Sequence, residues 1–150
     1  LILTIGFPAS GKSFLRKEIM KKYPQFHYYN NDEIKEQIQS RMLIKKISTD
    51  HDYLIDDNTN MILQTRIDKL DRFKEYYKLG IWFDYDLELC WHLNWLRMYV
   101  YGTKLLPKVS FYTLGKKFDQ NQVSVGFDQV IRINKVFNEI KTSSDIKYFF

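Results

Sequence analysis

The stretch Gly6-Phe7-Pro8-Ala9-Ser10-Gly11-Lys12-Ser13 decides how this chain reads. It satisfies G-x-x-x-x-G-K-[ST], the pattern of a phosphate-binding loop, at every specified position. Ahead of it, Leu1-Ile2-Leu3-Thr4-Ile5 is a short apolar run with the marks of a buried strand. Behind it, Phe14-Leu15-Arg16-Lys17-Glu18-Ile19-Met20 repeats apolar residues at helical spacing. In that order, loop amides converge on an anion and the helix N-terminus adds partial positive charge. The competing reading is a tight glycine turn beside a solvated lysine. On the phosphate-binding reading, Gly6, Pro8, Ala9, Ser10, Gly11, Lys12, Ser13 and Phe14 cradle a nucleoside triphosphate, with ATP as the expected donor. Lys12 then reaches the β- and γ-phosphates, and the Ser13 hydroxyl ligates Mg²⁺.

The rest of the chain alternates strand and helix signals. Pro24 ends the first helix by disfavouring helical backbone at Tyr23. Phe26-His27-Tyr28-Tyr29 reads as a second strand, and Asn30-Asn31-Asp32 closes it and caps a helix from Glu33 towards Ser40. His51 to Asp56 reads as a third strand. Asp57-Asn58-Thr59-Asn60 is turn and cap chemistry before a long helix with apolar Met61, Ile62, Ile67, Leu70, Phe73 and Tyr77. Gly80 stands where that helix should stop. Ile81-Trp82-Phe83 is a fourth strand, and Leu87 to about Val100 a further helix. A polar connection follows from Gly102 to Pro107, then a helix through Phe111 and Leu114. Gln129 to Ile133 is the last strand. Such alternation predicts an α/β fold, a parallel sheet with helices on both faces, in one domain.

Bulk properties narrow the setting. The chain has 150 residues, 45% of them hydrophobic and 27% charged, enough for a core of its own. It begins inside an apparent strand without an initiator Met, so a domain excised from a longer protein is expected. Nothing resembles a signal peptide and no apolar run approaches a membrane span. The lone Cys90 excludes an internal disulfide and fits a reducing, cytoplasmic or nuclear location. Abundant Lys, Ile and Tyr fit an AT-rich viral or phage genome. The net charge of +5 favours a polyanionic partner, with a lysine-rich solvated surface as the alternative. Aromatic content of 17% supplies either core packing or platforms for base stacking.

Ligands of open parallel sheets sit at the carboxyl ends of the strands. Acids fall there after the second strand (Asp32), the third (Asp56, Asp57) and the fourth (Asp84, Asp86). A phosphoryl acceptor needs an oxygen base beside the γ-phosphate, and Asp32 has the right address; the alternative is a helix cap alone. Asp57 either holds Mg²⁺ or caps the helix that follows. Asp84 and Asp86 read as caps.

Taken together, Ile5-Gly6-Phe7-Pro8 with Gly11-Lys12-Ser13, Tyr29-Asn30-Asn31-Asp32 and Ile55-Asp56-Asp57-Asn58-Thr59-Asn60 resemble the kinase domain of polynucleotide 5′-hydroxyl kinases. The resemblance is to the polynucleotide kinase/3′-phosphatase branch, and it continues through His92-x-Asn94-x-x-Arg97, Tyr112, Lys116-Lys117-Phe118 and Gly126-Phe127. It implies a P-loop kinase fold with a small helical lid, ATP and Mg²⁺ as cofactors, and a 5′-hydroxyl DNA or RNA end as acceptor. It further implies that Asp32 is the general base, that Lys12 and Ser13 serve ATP and Mg²⁺, and that Arg97 is the lid arginine. Asp32, Lys35, Thr59, Asn60 and His92 fall on its acceptor side. Lys35 lies one helical turn from Asp32, where some members of that family carry an arginine; a lysine holds a phosphate as a point charge, not a bidentate clamp. A solvated Lys35, a surface Arg97 and a packed or surface His92 are the competing readings. No phosphatase-type Asp-x-Asp-x-Thr motif is present, so a phosphatase or ligase would lie in a flanking domain. A small-molecule kinase and a non-catalytic nucleotide-binding module remain as alternatives.

Overall fold

The structure, a computed structural model, describes residues 1–30 and 51–134. Among the described residues five strands form one parallel sheet: β1 (Ile2–Ile5), β2 (His27–Tyr29), β3 (Leu54–Asp56), β4 (Leu79–Phe83) and β5 (Gln129–Ile133). Their order is β2-β3-β1-β4-β5, so β1 lies at the centre, pairing Ile2 with Ile55 on one side and with Leu79 on the other. The described helices are α1 (Lys12–Lys22), α2 (Leu63–Leu70), α3 (Leu87–Tyr101) and α4 (Lys108–Lys117). Short 3₁₀ turns follow α2 at Asp71–Phe73 and α4 at Gln120–Gln122.

Alternation along the strands divides the core between the two faces. Ile2, Ile55, Ile81 and Phe83 face α1 through Leu15, Ile19 and Met20. Leu1, Leu3, Tyr29 and Leu54 face the opposite way, onto Leu70 and Phe73. A third cluster gathers at the carboxyl end, where Phe7 of the glycine loop packs with Met61, Cys90 and Phe111. The α3–α4 pair is thereby seated against the loop as a small helical lid. The expected parallel sheet with helices on both faces is the observed one.

Several boundaries move. The second and third strands are shorter than their apolar runs, beginning at His27 and Leu54. The expected long helix stops at Leu70, and no side chain of the Asp57–Asn60 block caps it; Ile62 holds the N-cap position. Gly80 is not a helix stop but a residue within β4. A Cβ there would stand 3.1 Å from Val130 Cγ2 and 3.3 Å from the Phe127 ring, so the glycine lets β4 lie close under its neighbours. Asp86 does cap α3, accepting the Leu89 amide at 2.7 Å. The helix expected from Glu33 lies outside the described residues.

One buried ionic cluster joins the strand ends. Asp56, fully buried at the end of β3, accepts from Tyr29 Oη at 2.7 Å and Asn60 Nδ2 at 3.1 Å, and pairs with Lys69 Nζ at 2.7 Å. Lys69 also donates to Asn60 Oδ1 at 2.7 Å. Removing one partner of such a pair strands the other charge in the core. Lys69→Met is therefore expected to lower stability by about 3–5 kcal/mol, and Tyr29→Phe by about 1.5–3 kcal/mol, both measured by urea unfolding.

Candidate active site

The glycine loop leaves β1 and turns into α1 through backbone that side chains resist. Gly6 has φ +152° and Gly11 φ +92°. A Cβ on Gly6 would meet Phe83 Cβ, Phe83 O and Ser10 Oγ, each at 3.0 Å, so the first glycine is required by space as well as by angle. Ala9 also takes positive φ, at 62°. The loop is anchored from below, with the Gly6 amide donating to Thr59 O at 2.9 Å. Gly11 occupies the N-cap of α1 without a side-chain cap, and the first turn carries no acid. Those amides and the dipole behind them face the loop without a competing carboxylate of their own turn.

Lys12 is buried, and its ammonium donates to Gly6 O at 3.1 Å, to Ser10 Oγ at 3.2 Å and to Phe7 O. Burial pushes its pKa down to about 8; Asp57 opposes the shift and Arg97 adds to it. Cys90 lies near enough to interact with Lys12, but burial raises its thiol to about 12, so it stays neutral and supplies no counter-charge near neutral pH. Ser13 and Phe14 are exposed on the first turn of α1, and Pro8 is half-buried at the loop's rim.

Arg97, on the lid, is near enough to Lys12 for its charge to be felt there. Cys90 and Asn94 are fully buried on the inner face of α3, and Arg97 follows one turn later on that face. Asn94 is fixed by the connection, donating to Leu106 O at 3.0 Å. It offers Oδ1 to Arg97 Nη2 at 3.4 Å, and Arg97 Nε is buried without a partner. Burial also lowers the Arg97 pKa. Arg97 is near enough to Lys12 to lower its pKa, and an anion bound at the loop would relieve that repulsion.

The other expected residues divide. Asp57 is buried beside the loop, but its Oδ2 is engaged by Arg16 Nε at 2.9 Å, while Arg16 stacks on the Tyr28 ring with its guanidinium carbon 3.8 Å from the centroid. Asn60, expected on the acceptor side, is instead buried at φ +47°. Its amide donates to Thr4 O at 2.9 Å as well as to Asp56, so it has no face left for a substrate. Thr59 is half-buried, and its carbonyl serves Gly6. His92 is exposed on α3, its Nδ1 2.8 Å from Glu88 O, on the side away from the inner face. Asp84 is taken up by Arg132, whose Nε donates to Oδ2 at 2.7 Å. Asp32 and Lys35 lie outside the described residues.

These donors fit the phosphates of a nucleotide: loop amides, an uncapped helix start, a buried lysine and an unpaired guanidinium nitrogen. For a metal the protein offers less. Among the described residues no group of three or more His, Cys, Asp or Glu could hold one. The exposed Ser13 hydroxyl with phosphate oxygens and water suits Mg²⁺, which keeps several waters and seldom needs an all-protein cage. The residues missed in the sequence are Arg16, Lys69 and Arg66. Arg66 is buried, donating to Asn60 O at 3.0 Å and Gln122 O at 2.7 Å. Their only sequence signal is a cation at helix positions that should otherwise be apolar.

The fold is that of P-loop kinases. The chain superposes on a fungal RNA kinase with TM-score 0.68 at 16% identity, over 99% of this chain and 80% of the other. Kti12 of Chaetomium thermophilum, solved with ADP-AlF3, gives 0.67 at 12% identity, over 99% and 94%. A gluconokinase of Sinorhizobium meliloti gives 0.57 at 11%, over 93% and 85%. No protein-family model matches the sequence, and no curated protein sequence does. No helix among the described residues is long and apolar enough to cross a membrane.

The depressed Lys12 pKa carries a measurable consequence. A phosphate anion favours the charged ammonium, so binding takes up a proton once pH exceeds about 8. ATP affinity is expected to be flat from pH 7 to 8 and to fall above it by up to about tenfold per pH unit. Calorimetric titration across pH 7–10 measures this, with Lys12→Ala weak and pH-insensitive.

Proposed function

We propose that this chain transfers the terminal phosphoryl group of ATP to the 5′-hydroxyl end of a DNA or RNA strand. The observation that carries the reading is the buried Lys12 of the glycine loop, which feels the charge of Arg97 on the lid, with Arg97 Nε buried and unpaired. Phosphoryl transfer asks little covalent chemistry of a protein and much positioning and charge stabilisation. Lys12 neutralises the β- and γ-oxygens, and the Arg97 fork matches the charge spread over the transferring group. Ser13 would hold Mg²⁺, which would help offset the charge of the transferring phosphate. Asp32 accepts the proton of the 5′-hydroxyl as its oxygen bonds to the γ-phosphorus and the bond to the β,γ-bridging oxygen breaks. The Asp32 role rests on the sequence resemblance and on its position after β2.

Support for a nucleic-acid acceptor comes from the polynucleotide-kinase-like blocks, the fold shared with a fungal RNA kinase and the net positive charge. The gluconokinase and a deoxyadenosine kinase from M. mycoides (TM-score 0.53) share the fold too, so small hydroxyl compounds are the competitors to test. With γ-labelled ATP, label is expected on 5′-hydroxyl DNA or RNA and not on gluconate or free nucleosides. Lys12→Ala, Arg97→Ala and Asp32→Asn are each expected to cost at least about 10²-fold in kcat. Turnover on strands should also fall as salt rises, since phosphate contacts release counterions. Label on a nucleoside or sugar alone would overturn the reading.

A further inference from the structure

The lid carries a second surface that the transfer chemistry does not use. From Leu89 to Phe118 the chain has no Asp or Glu, yet it holds Arg97, Lys104, Lys108, Lys116 and Lys117, in a protein with 18 acids over 150 residues. Within that stretch an aromatic row runs along α3. Trp91, Trp95 and Tyr99 recur every four residues and so share one face. Trp91 and Trp95 meet edge to face at 6.0 Å between centroids. Trp91 is anchored beneath by Phe111 at 5.6 Å. Lys108 extends the row across to α4, its ammonium 5.9 Å from the Trp91 ring and 5.7 Å from Tyr112.

Trp91 packs against the core, but the rings beyond it are exposed. Trp95 is 47% exposed, Tyr99 86% and Tyr112 47%. The acid touching the row is Glu88, and it is already held by Lys108 at 3.1 Å and by the Tyr112 hydroxyl at 3.4 Å. From Trp91 to Tyr99 the row extends about 12 Å at the α-helical rise. It lies one residue round the helix from Cys90 and Asn94, whose face leads to Arg97 and the glycine loop. A strand end held at that loop therefore has the row beside it.

We propose that this aromatic row on the lid, with Lys108 against its rings and Lys104, Lys116 and Lys117 in the same acid-free stretch, is a stacking platform for the bases of a single-stranded nucleic acid. The proposal rests on the function proposed above and names the part of the acceptor beyond its reacting end. Rings interleaved with lysines are what sequence-tolerant single-strand binding needs: π-faces for bases and cations for the backbone. An apolar protein partner would not call for a run of thirty residues without an acid. The platform also separates the acceptors: a single nucleotide gains nothing from it, a longer strand does.

The test measures binding and transfer separately. Fluorescein-labelled 5′-hydroxyl dT₁₀, a ten-unit abasic phosphodiester and 3′-AMP are compared on the parent protein, Tyr99→Ala, Trp95→Ala/Tyr99→Ala and Lys104→Gln/Lys116→Gln. The aromatic double variant is expected to weaken dT₁₀ binding by anisotropy at least about tenfold and to raise KM for dT₁₀ with kcat unchanged. Abasic-strand binding and 3′-AMP turnover should not move. The lysine variant should instead flatten the salt dependence, by about 0.7 in log–log slope per lost phosphate contact. Tyr99→Ala, at the most exposed ring, should give a smaller loss of the same kind and guards against a folding defect in the double variant. Unchanged dT₁₀ binding in the aromatic variants overturns the platform. So does an equal loss for the abasic strand, or self-association of the parent that Tyr99→Ala abolishes. A parent that binds dT₁₀ through these rings but labels no 5′-hydroxyl strand sinks the kinase reading and leaves the platform standing.

Discussion

Asp56 is a carboxylate with no exposed surface, and the loop that steadies the phosphate cradle is built around it. Tyr29, Asn60 and Lys69 bring donors to it from β2, from the β3–α2 loop and from α2. Asn60 in turn reaches Thr4 O in β1, and the next carbonyl back, Thr59 O, takes the Gly6 amide. A buried ion pair is a doubtful source of stability in itself, because desolvation offsets much of the attraction. Its value here is positional. An amide that donates at one end and accepts at the other has a single orientation, and that orientation sets where the glycine loop begins.

This arrangement also explains why the glycine loop is legible in the sequence and the network beneath it is not. Gly6, Gly11 and Lys12 occur at fixed spacing because backbone angle, space and charge each demand one residue type, and such demands survive into the sequence. Asn60 and Asp57 carry no such mark. Their residue types suit a cap, a metal or a buried hydrogen-bond network equally, and only the packing of Lys69 and Arg16 against them decides. Gly80 misled for a related reason. Glycine ends helices often, but here it answers to Val130 and Phe127, contacts made across fifty residues of chain. Arg97 is legible as a cation just before a glycine connection, whereas its place on the inner face of α3 follows from the burial of Asn94 and Cys90, one and two turns earlier.

Charge at the site is held under tension. Lys12 is buried with Arg97 raising its cost, Asp57 is half-spent on Arg16, and the neighbouring Cys90 thiol is neutral. Like charges brought together in a poorly solvated place are a standing cost, and an anion that enters relieves it. Preorganised donors of this kind need no rearrangement when negative charge develops in front of them. The lid contributes to that economy twice, placing Arg97 on its inner side and a row of rings and lysines on the adjoining one.

The position of β1 in the sheet has a consequence for how the molecule breathes. Among the described residues, β1 is bonded on both flanks, while β2 and β5 each have one strand neighbour in the sheet and β5 is largely exposed along its length. Partial opening of a parallel sheet starts where fewest contacts must be given up. Amide exchange should therefore erode β5 well before it touches Ile2 to Ile5. The glycine loop, growing from the most protected strand, keeps its shape through fluctuations that loosen the margins of the fold.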